Sequence, residues 1–133
     1  MIGKLDDAMD FQARALQLRS YRQQLLASNV ANGDTPHYKA VDFDFAKALS
    51  NAAQNSNSRP LAGTAPRHIA GTGPAPAGVQ VQYRGVTQAS IDGNSVDMDV
   101  ERAQFADNAV RYEAALRFLN AEIRALTTAI KGD

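Results

Sequence analysis

The 133-residue chain contains no cysteine and no tryptophan, and aromatic residues make up only 7% of it. Without cysteine the chain can form no disulfide, no thiolate zinc site and no cysteine nucleophile. The hydrophobic fraction is 44%, but much of it is alanine, so a large core is not assured. The length predicts a single domain with a modest core.

The chain also has no excess of positive or negative charge, because 14 basic residues balance 14 acidic ones. A chain without net charge has no overall field to attract nucleic acid or an anionic membrane, so neither is predicted as a partner. No run of about 18 apolar residues is present, and acidic residues occupy the region where a signal peptide needs an apolar run. The chain is therefore predicted not to span a membrane, and any export is predicted to need no cleaved signal peptide.

Sequence patterns of catalytic and metal sites are absent as well. The chain has no HExxH, GxSxG, phosphate-loop or EF-hand spacing, and neither His37 nor His68 lies in a Cys/His cluster. Asp42 and Asp44 alternate around one residue, which is more typical of the solvated face of an edge strand than of an acid–base pair. We predict no enzyme activity, no cofactor, no metal and no small-molecule substrate. A small enzyme that uses His37 with Asp34 or Asp42 is the weakest of three hypotheses.

What the chain does contain is two long amphipathic segments. Apolar residues recur at spacings of three and four over residues 3–32, which predicts one helix that Gly33 ends and Pro36 keeps from resuming. Over residues 96–131 the apolar spacing is 4, 3, 4, 3, 4, 3, 4, the heptad pattern of a helix that packs on another helix. This heptad row consists of Phe105, Ala109, Tyr112, Leu116, Leu119, Ile123, Leu126 and Ile130.

The region between the two predicted helices has a different composition. Residues 51–78 are rich in Asn, Ser, Ala, Gly and Pro and lack periodicity, which predicts a flexible loop. Apolar and polar residues alternate over residues 79–83, which predicts a short strand. The same alternation over residues 41–45 favours a strand or an extended arm, although residues 43–50 could instead form a short helix.

These patterns predict a mainly α fold. The long N- and C-terminal helices pack as an antiparallel coiled-coil hairpin, and a small irregular or β region lies between them. The segments are residues 1–33, 34–95 and 96–133. Asp97 or Asp99 is predicted to cap the last helix, and Lys131-Gly132 to end it. Two helices of this length leave apolar surface uncovered, which favours partner chains. An ordinary bundle helix in a monomer is the alternative.

The stretch LLASNVANGDTPHYKAVDFDF, residues 25–45, carries a further pattern. It resembles the N-terminal motif of bacterial flagellar rod and hook proteins, a helix ending in A-x-N-[IV]-A-N that is followed by x-x-T-P-G-Y-[KQ]. Both ends of the chain and its short length are most similar to the proximal rod member of that family. The family usually has glycine at the position of His37, and if that glycine has a positive φ, the histidine must adopt a less favourable backbone. The matching residues are Ala27, Asn29, Val30, Ala31, Asn32, Thr35, Pro36, Tyr38 and Lys39.

The resemblance implies a structural subunit of the proximal rod, which polymerises through its terminal helices into a tubular drive shaft. Its implied partners are copies of itself, other flagellar rod proteins, and the export-gate or MS-ring adaptor side of the basal body. Its implied location is the periplasmic rod, reached through flagellar type III export without a cleaved signal peptide. A cytosolic coiled-coil adaptor or regulator is the alternative, because the heptad row alone would also serve that function.

The resemblance also implies which residues mediate assembly. The heptad row is expected to pack against an apolar row of the first helix, and the turn after that helix is expected to contact neighbouring subunits through its Asn and Thr groups. The implied assembly residues are Phe11, Ala15, Leu18, Leu25, Asn29, Asn32, Thr35, Pro36, Tyr38, Phe105, Tyr112, Leu116, Leu119, Ile123 and Leu126.

Overall fold

A computed structural model describes residues 2–54, 75–76, 78–85 and 90–132. Within these ranges the chain forms three helices and two very short strands. The strands pair antiparallel, with Val41 opposite Tyr83. In chain order the elements are α1 (Ile2–Ala31), β1 (Val41–Asp42), α2 (Phe45–Gln54), β2 (Gln82–Tyr83) and α3 (Met98–Lys131).

The two long helices lie side by side in opposite directions. Near the end of α1, Asn29 contacts Glu101 in the first turn of α3, and further back along α1 Gln23 contacts Asn108. Residues later in α3 therefore contact residues earlier in α1, so the two helices are antiparallel. The predicted fold class, with long terminal helices packed together and a small middle region, is confirmed.

The ends of α3 lie where the sequence signals predict them. Of the two candidate caps, Asp97 is the one used, because its carboxylate accepts from the backbone N–H of Asp99 (3.0 Å) and Val100 (3.3 Å). At the other end Gly132 has a φ of 72°, and its N–H donates to the carbonyl of Thr128 at 3.0 Å. Both predicted signals therefore act through their expected hydrogen bonds.

Gly33 has a different role from the predicted one. The expectation that it ends α1 in a left-handed conformation is wrong, because its φ is not positive. A Cβ atom at this position would lie 2.5 Å from Sδ of Met98, the first residue of α3. Glycine therefore provides needed space here, because a Cβ atom would displace the flexible Met98 side chain. Sequence alone cannot distinguish that need from a left-handed backbone, which explains the error.

The middle region is more structured than its composition predicts. Residues 41–50 were predicted to form either a strand or a short helix. Both predictions hold in part, because the strand is limited to β1 and a helix follows it. That helix, α2, is capped by Asp44, whose carboxylate accepts from the backbone N–H of Lys47 at 3.0 Å. The strand predicted over residues 79–83 is reduced to β2. The loop predicted over residues 51–78 lies mostly outside the described residues.

The hydrophobic core lies between α1 and the middle region. Leu18 and Leu25 are buried there with Phe43 and Ala48, and the rings of Tyr21 and Phe43 lie 5.9 Å apart. The prediction that Leu18 and Leu25 pack against the C-terminal helix is therefore wrong. The reason is that α2 presents its own apolar face to α1, and the periodicity of α1 alone does not show which segment covers it.

The α3 residues buried deepest are polar. Glu101 is 1% exposed and Asn108 is 0% exposed, whereas Phe105, Leu116 and Ile123 of the heptad row are 37%, 36% and 41% exposed. The heptad row thus lies beside the face of α3 that contacts α1, because hydrogen bonds at the start of α3 fix its rotation. Among the other assembly residues, Phe11 is exposed, Ala15 is buried, and Tyr112, Leu119 and Leu126 are half-buried.

Candidate functional site: the joint between α1 and α3

A polar cluster forms where the end of α1 meets β1 and the start of α3. We call this cluster the joint. It includes most of the hydrogen-bonding groups of the predicted motif together with partners from the C-terminal half of the chain. Its side chains are Asn29, Asn32, Tyr38, Asp42, Arg84, Asn94 and Glu101.

Asn29 lies at the centre of the joint and is 0% exposed. Its amide nitrogen donates to the carbonyl of Val41 (2.8 Å) and to Oε2 of Glu101 (3.1 Å). Its amide oxygen accepts from the N–H of Val41 (3.0 Å) and from the hydroxyl of Tyr38 (3.2 Å). The side chain therefore pairs with both backbone groups of Val41 as a neighbouring strand would, and all four of its hydrogen-bonding positions are used.

Asn94, from the C-terminal half of the chain, binds the backbone just after the end of α1. Its amide nitrogen donates to the carbonyls of Asn32 (3.0 Å), Gly33 (2.9 Å) and Thr35 (2.8 Å). Because an amide carries only two protons, one of them is shared. These carbonyls belong to the turn that follows α1, where no helix hydrogen bond is made, and here a residue some 60 positions later supplies the donor. The backbone N–H of Val96 donates to the other end of the same amide at 2.7 Å.

The turn was predicted to contact neighbouring subunits through its Asn and Thr groups. For Asn29 this prediction is wrong, because the side chain is buried and its hydrogen bonds are all made within the chain. The Asn32 amide donates to a carbonyl one turn back (2.8 Å) and accepts from the hydroxyl of Thr35 (3.1 Å). Thr35 and Pro36 are exposed, so their contact with a neighbouring subunit stays a prediction.

Charged side chains in the joint connect α1, β1, the residue after β2 and α3. Arg22 of α1 donates two hydrogen bonds to Asp42 of β1, both at 3.0 Å. Arg84, which follows β2, donates to Asp42 at 2.7 Å and also binds the buried carboxylate of Glu101 on α3. Burial alone would raise the pKa of Asp42, but hydrogen bonds from Arg22, Arg84 and the N–H of Phe43 outweigh it and hold that pKa below its usual value.

The lowered pKa of Asp42 predicts how stability depends on pH. Its ion pairs stabilise the folded state above the unfolded-state pKa of about 3.9, and this contribution is lost as pH falls through the lower folded-state pKa. Asp42→Asn should therefore reduce the free energy of unfolding at pH 7, and the deficit should shrink as pH falls below about 4. Urea denaturation between pH 2 and 7 measures this; a deficit independent of pH would contradict it. Asp34→Asn, at an exposed position, serves as the control.

Sequence reasoning missed the partners that hold the motif in place. Glu101, Gln104 and Asn108 are spaced three and four residues apart, as on one helix face, but a search for apolar periodicity ignores them. Asn108 donates to the carbonyl of Arg19 (2.9 Å) and to Oε1 of Gln23 (2.7 Å) on α1. A polar residue at a helix interface fixes the register of the two helices at some cost in stability.

His37 adopts a left-handed backbone with a φ of 62°, as expected for a residue that replaces a positive-φ glycine. Its N–H donates to the carbonyl of Asp92 at 3.0 Å. The next residue of that turn, Gly93, has a φ of 74°, and a Cβ atom there would lie 2.7 Å from Nδ1 of His37. The histidine therefore requires a glycine at position 93, both for its backbone and for the space that the imidazole fills.

Replacing His37 by glycine should stabilise the fold. A left-handed backbone costs a residue with a Cβ atom roughly 1–2 kcal/mol, and the greater freedom of glycine in the unfolded chain offsets part of that gain. We expect His37→Gly to raise the free energy of unfolding by about 0.5–1 kcal/mol. Lys39→Gly, at an exposed position without a positive φ, should lower it instead. Thermal denaturation that gives equal losses for both variants would contradict the expectation.

The residues weighed for catalysis have separate partners in the structure. Asp42 is bonded to Arg22 and Arg84, whereas His37 borders Gly93. In the described ranges no group of three or more His, Cys, Asp or Glu residues is arranged to hold a metal ion. None of the helices found there combines the length and the apolar character needed to cross a membrane.

Comparison with known proteins identifies relatives along nearly the whole chain. A family model described as "Flagella basal body rod protein" matches residues 9–39, which include most of α1 and the turn with His37. The flagellar basal body rod protein FlgB of Escherichia coli strain K12 is 42% identical over 135 residues, which cover 98% of each chain. FlgB of Cereibacter sphaeroides is 46% identical over 127 residues, which cover 96% of each. FlgB of Salmonella typhimurium is 40% identical over 136 residues, which cover 99% of each.

Proposed function

Since this chain belongs to the FlgB family of flagellar basal body rod proteins, we propose that its terminal helices build the rod by packing against other subunits. The chain is a structural subunit of the flagellar basal body rod. A cytosolic coiled-coil adaptor finds no support in the relatives. The finer proposal concerns which surface carries assembly and which partners it meets.

One observation carries the proposal, namely an apolar stripe on α3 that α1 does not cover. We call it the stripe; it consists of Phe105, Leu116, Ile123 and Ile130, and the last of these is 85% exposed. Its members are separated by nearly whole numbers of helical turns and therefore lie on one side of α3. Several exposed apolar side chains on one side of a helix are typical of a surface that a partner covers.

The joint gives the same proposal a second line of support. Glu101 of the joint and Asn108 further along α3 together fix the rotation of α3, so the stripe faces outward in a defined direction. Because the polar contacts of the joint are satisfied within one chain, the subunit can present this face before it meets a partner. The exposed Thr35 and Pro36 lie at the joint and would add a second contact.

The proposal extends to partners and location. The subunit packs against copies of itself and other rod proteins, and at its base against the export-gate or MS-ring adaptor side of the basal body. It reaches the periplasmic rod through type III export without a cleaved signal peptide. Family membership supports the basal body as the location.

Expression in a flagellated species whose own FlgB has been deleted, and which has therefore lost swimming, tests the proposal. We expect the chain, carrying an epitope tag, to restore swimming and to copurify with basal bodies, with the tag at the rod in electron micrographs. A helical, stable chain that stays in the cytosol and never copurifies with basal bodies would contradict the proposal. The E. coli relative expressed in the same way serves as the positive control.

A further inference from the structure

Arg19 on α1 is held in place without an ionic partner. Its guanidinium carbon lies 4.2 Å from the centre of the Phe45 ring. Among residues 2–54, 75–76, 78–85 and 90–132, no carboxylate lies within ion-pair distance of it, whereas Arg22 and Arg84 both pair with Asp42. A guanidinium stacked on an aromatic ring keeps its N–H donors free at the edge of the plane, where a carboxylate can bind them in pairs.

The surroundings of Arg19 carry more positive than negative charge. Burial lowers the pKa of Arg19, and repulsion from Arg111 and Arg22 lowers it further, while attraction to Asp107 opposes the shift. Asp107 is itself paired with Arg111 at 2.9 Å. An additional carboxylate at Arg19 would therefore relieve repulsion that the described part of the chain leaves in place.

Helix α1 also carries three acidic residues, far from Arg19 along the helix, that could bind such a guanidinium. Asp6, Asp7 and Asp10 lie in the first turns of α1, are exposed, and form no ion pair with any described residue. They precede Arg19 by roughly 14–20 Å along the helix, at about 1.5 Å per residue. That separation is too large for a contact within one chain. A second copy displaced by this distance along α1 would bring the acids opposite Arg19.

We propose that Arg19, positioned by Phe45, binds carboxylates of Asp6, Asp7 and Asp10 from a second copy of this chain. The contact joins two different surfaces, and such a head-to-tail contact continues from copy to copy without closing into a dimer, as a tube requires. It lies on α1 and is separate from the stripe on α3. The inference rests on the proposed function, because it needs subunits that assemble.

Reversing the charges on both sides tests this contact. In the complemented strain, Arg19→Glu should reduce rod-associated protein by about tenfold or more, because it places like charges opposite each other. Adding Asp7→Arg and Asp10→Arg to that variant should restore most of the assembly. Arg102→Glu, at an exposed position on α3, should assemble normally. Thermal denaturation of Arg19→Gln shows whether loss of the guanidinium alone unfolds the subunit.

Cross-linking locates the contact directly. Because the chain has no cysteine, Arg19→Cys combined with Asp10→Cys introduces a single pair of thiols. A disulfide cannot span the Cα separation of an arginine–aspartate pair, so a short bismaleimide that alkylates both thiols is used. We expect it to link the double variant into multimers in assembled rods and to link neither single variant. Normal assembly of Arg19→Glu, no rescue by the reversed acids, or no cross-link would each overturn the contact. Failure of the unaltered chain to enter basal bodies would overturn the proposed function instead.

Discussion

Asn29→Ala should lower the free energy of unfolding by about 3–5 kcal/mol, a large part of the stability of a domain this size. The substitution removes four hydrogen bonds at a fully buried position. It leaves the N–H and carbonyl of Val41 unpaired and deprives the buried carboxylate of Glu101 of a donor. Each buried polar group without a partner costs about 1–3 kcal/mol, so the loss exceeds that of an ordinary hydrogen bond.

Urea denaturation followed by circular dichroism measures this loss. Asn120→Ala is the matched control, because Asn120 is exposed on α3 and alanine favours helix there. Asn29→Asp should also destabilise, since it replaces the donating end of the amide by a carboxylate oxygen that faces Glu101. Unfolding energies for Asn29→Ala and Asn120→Ala that agree within about 1 kcal/mol would show that the joint does not hold the fold.

Local sequence signals predicted the helices well. The ends of α3 depend on Asp97 and Gly132, whose hydrogen bonds reach only a few positions along the chain. Periodicity of three and four over both long segments likewise depends on neighbours within one helix. Signals of this kind involve only residues close together in the sequence, so the fold class and the bounds of α3 could be predicted from the sequence.

Packing between segments followed less well from the same patterns. The apolar row of α1 was assigned to α3, but Leu18 and Leu25 pack with Phe43 and Ala48. A periodic row shows that a face is buried and does not show by what. The choice between α2 and α3 depends on polar contacts at the joint, which occupy the first turns of α3 and leave part of its heptad row exposed beside α1.

The joint shows the same limit at the level of single residues. The motif marked Asn29 and Asn32 as special, but their role was assigned to contacts between subunits. Asn29 meets Glu101 from 72 positions away, and the end of α1 meets Asn94 from about 60 away. No spacing rule connects residues so far apart, and a polar residue suited to an interface is equally suited to a buried joint. Only the three-dimensional contacts decide between the two.

Fixing this joint within one chain has a consequence for assembly. Since the polar groups of the motif are already paired, the free energy of joining subunits must come from surfaces that the single chain leaves exposed. The stripe on α3 is the part of the heptad row that the single chain leaves exposed. A substitution there should therefore separate assembly from folding, which no change within the joint can do.

Leu116→Asp should abolish rod assembly while leaving the single chain folded. Leu116 is 36% exposed, so in the free subunit the aspartate can remain in water, and the unfolding free energy should fall by no more than about 1 kcal/mol. Leu116→Ala should likewise cost less than the roughly 2–5 kcal/mol typical of a fully buried leucine. In the assembled rod the aspartate would be buried without a partner, which is far more costly.

Swimming and recovery of the chain in basal bodies measure assembly, and thermal denaturation of the purified chain measures folding. We expect recovery of Leu116→Asp to fall by at least about tenfold, which corresponds to 1.4 kcal/mol or more. Ala114→Asp introduces the same charge two residues away, on the opposite side of α3 from the stripe, and should assemble. If both variants assemble, the stripe is not the contact surface. If Leu116→Asp unfolds the free chain, Leu116 belongs to the core of the subunit. Loss of assembly in a stably folded variant would place the rod contact on the face of α3 that the joint turns outward.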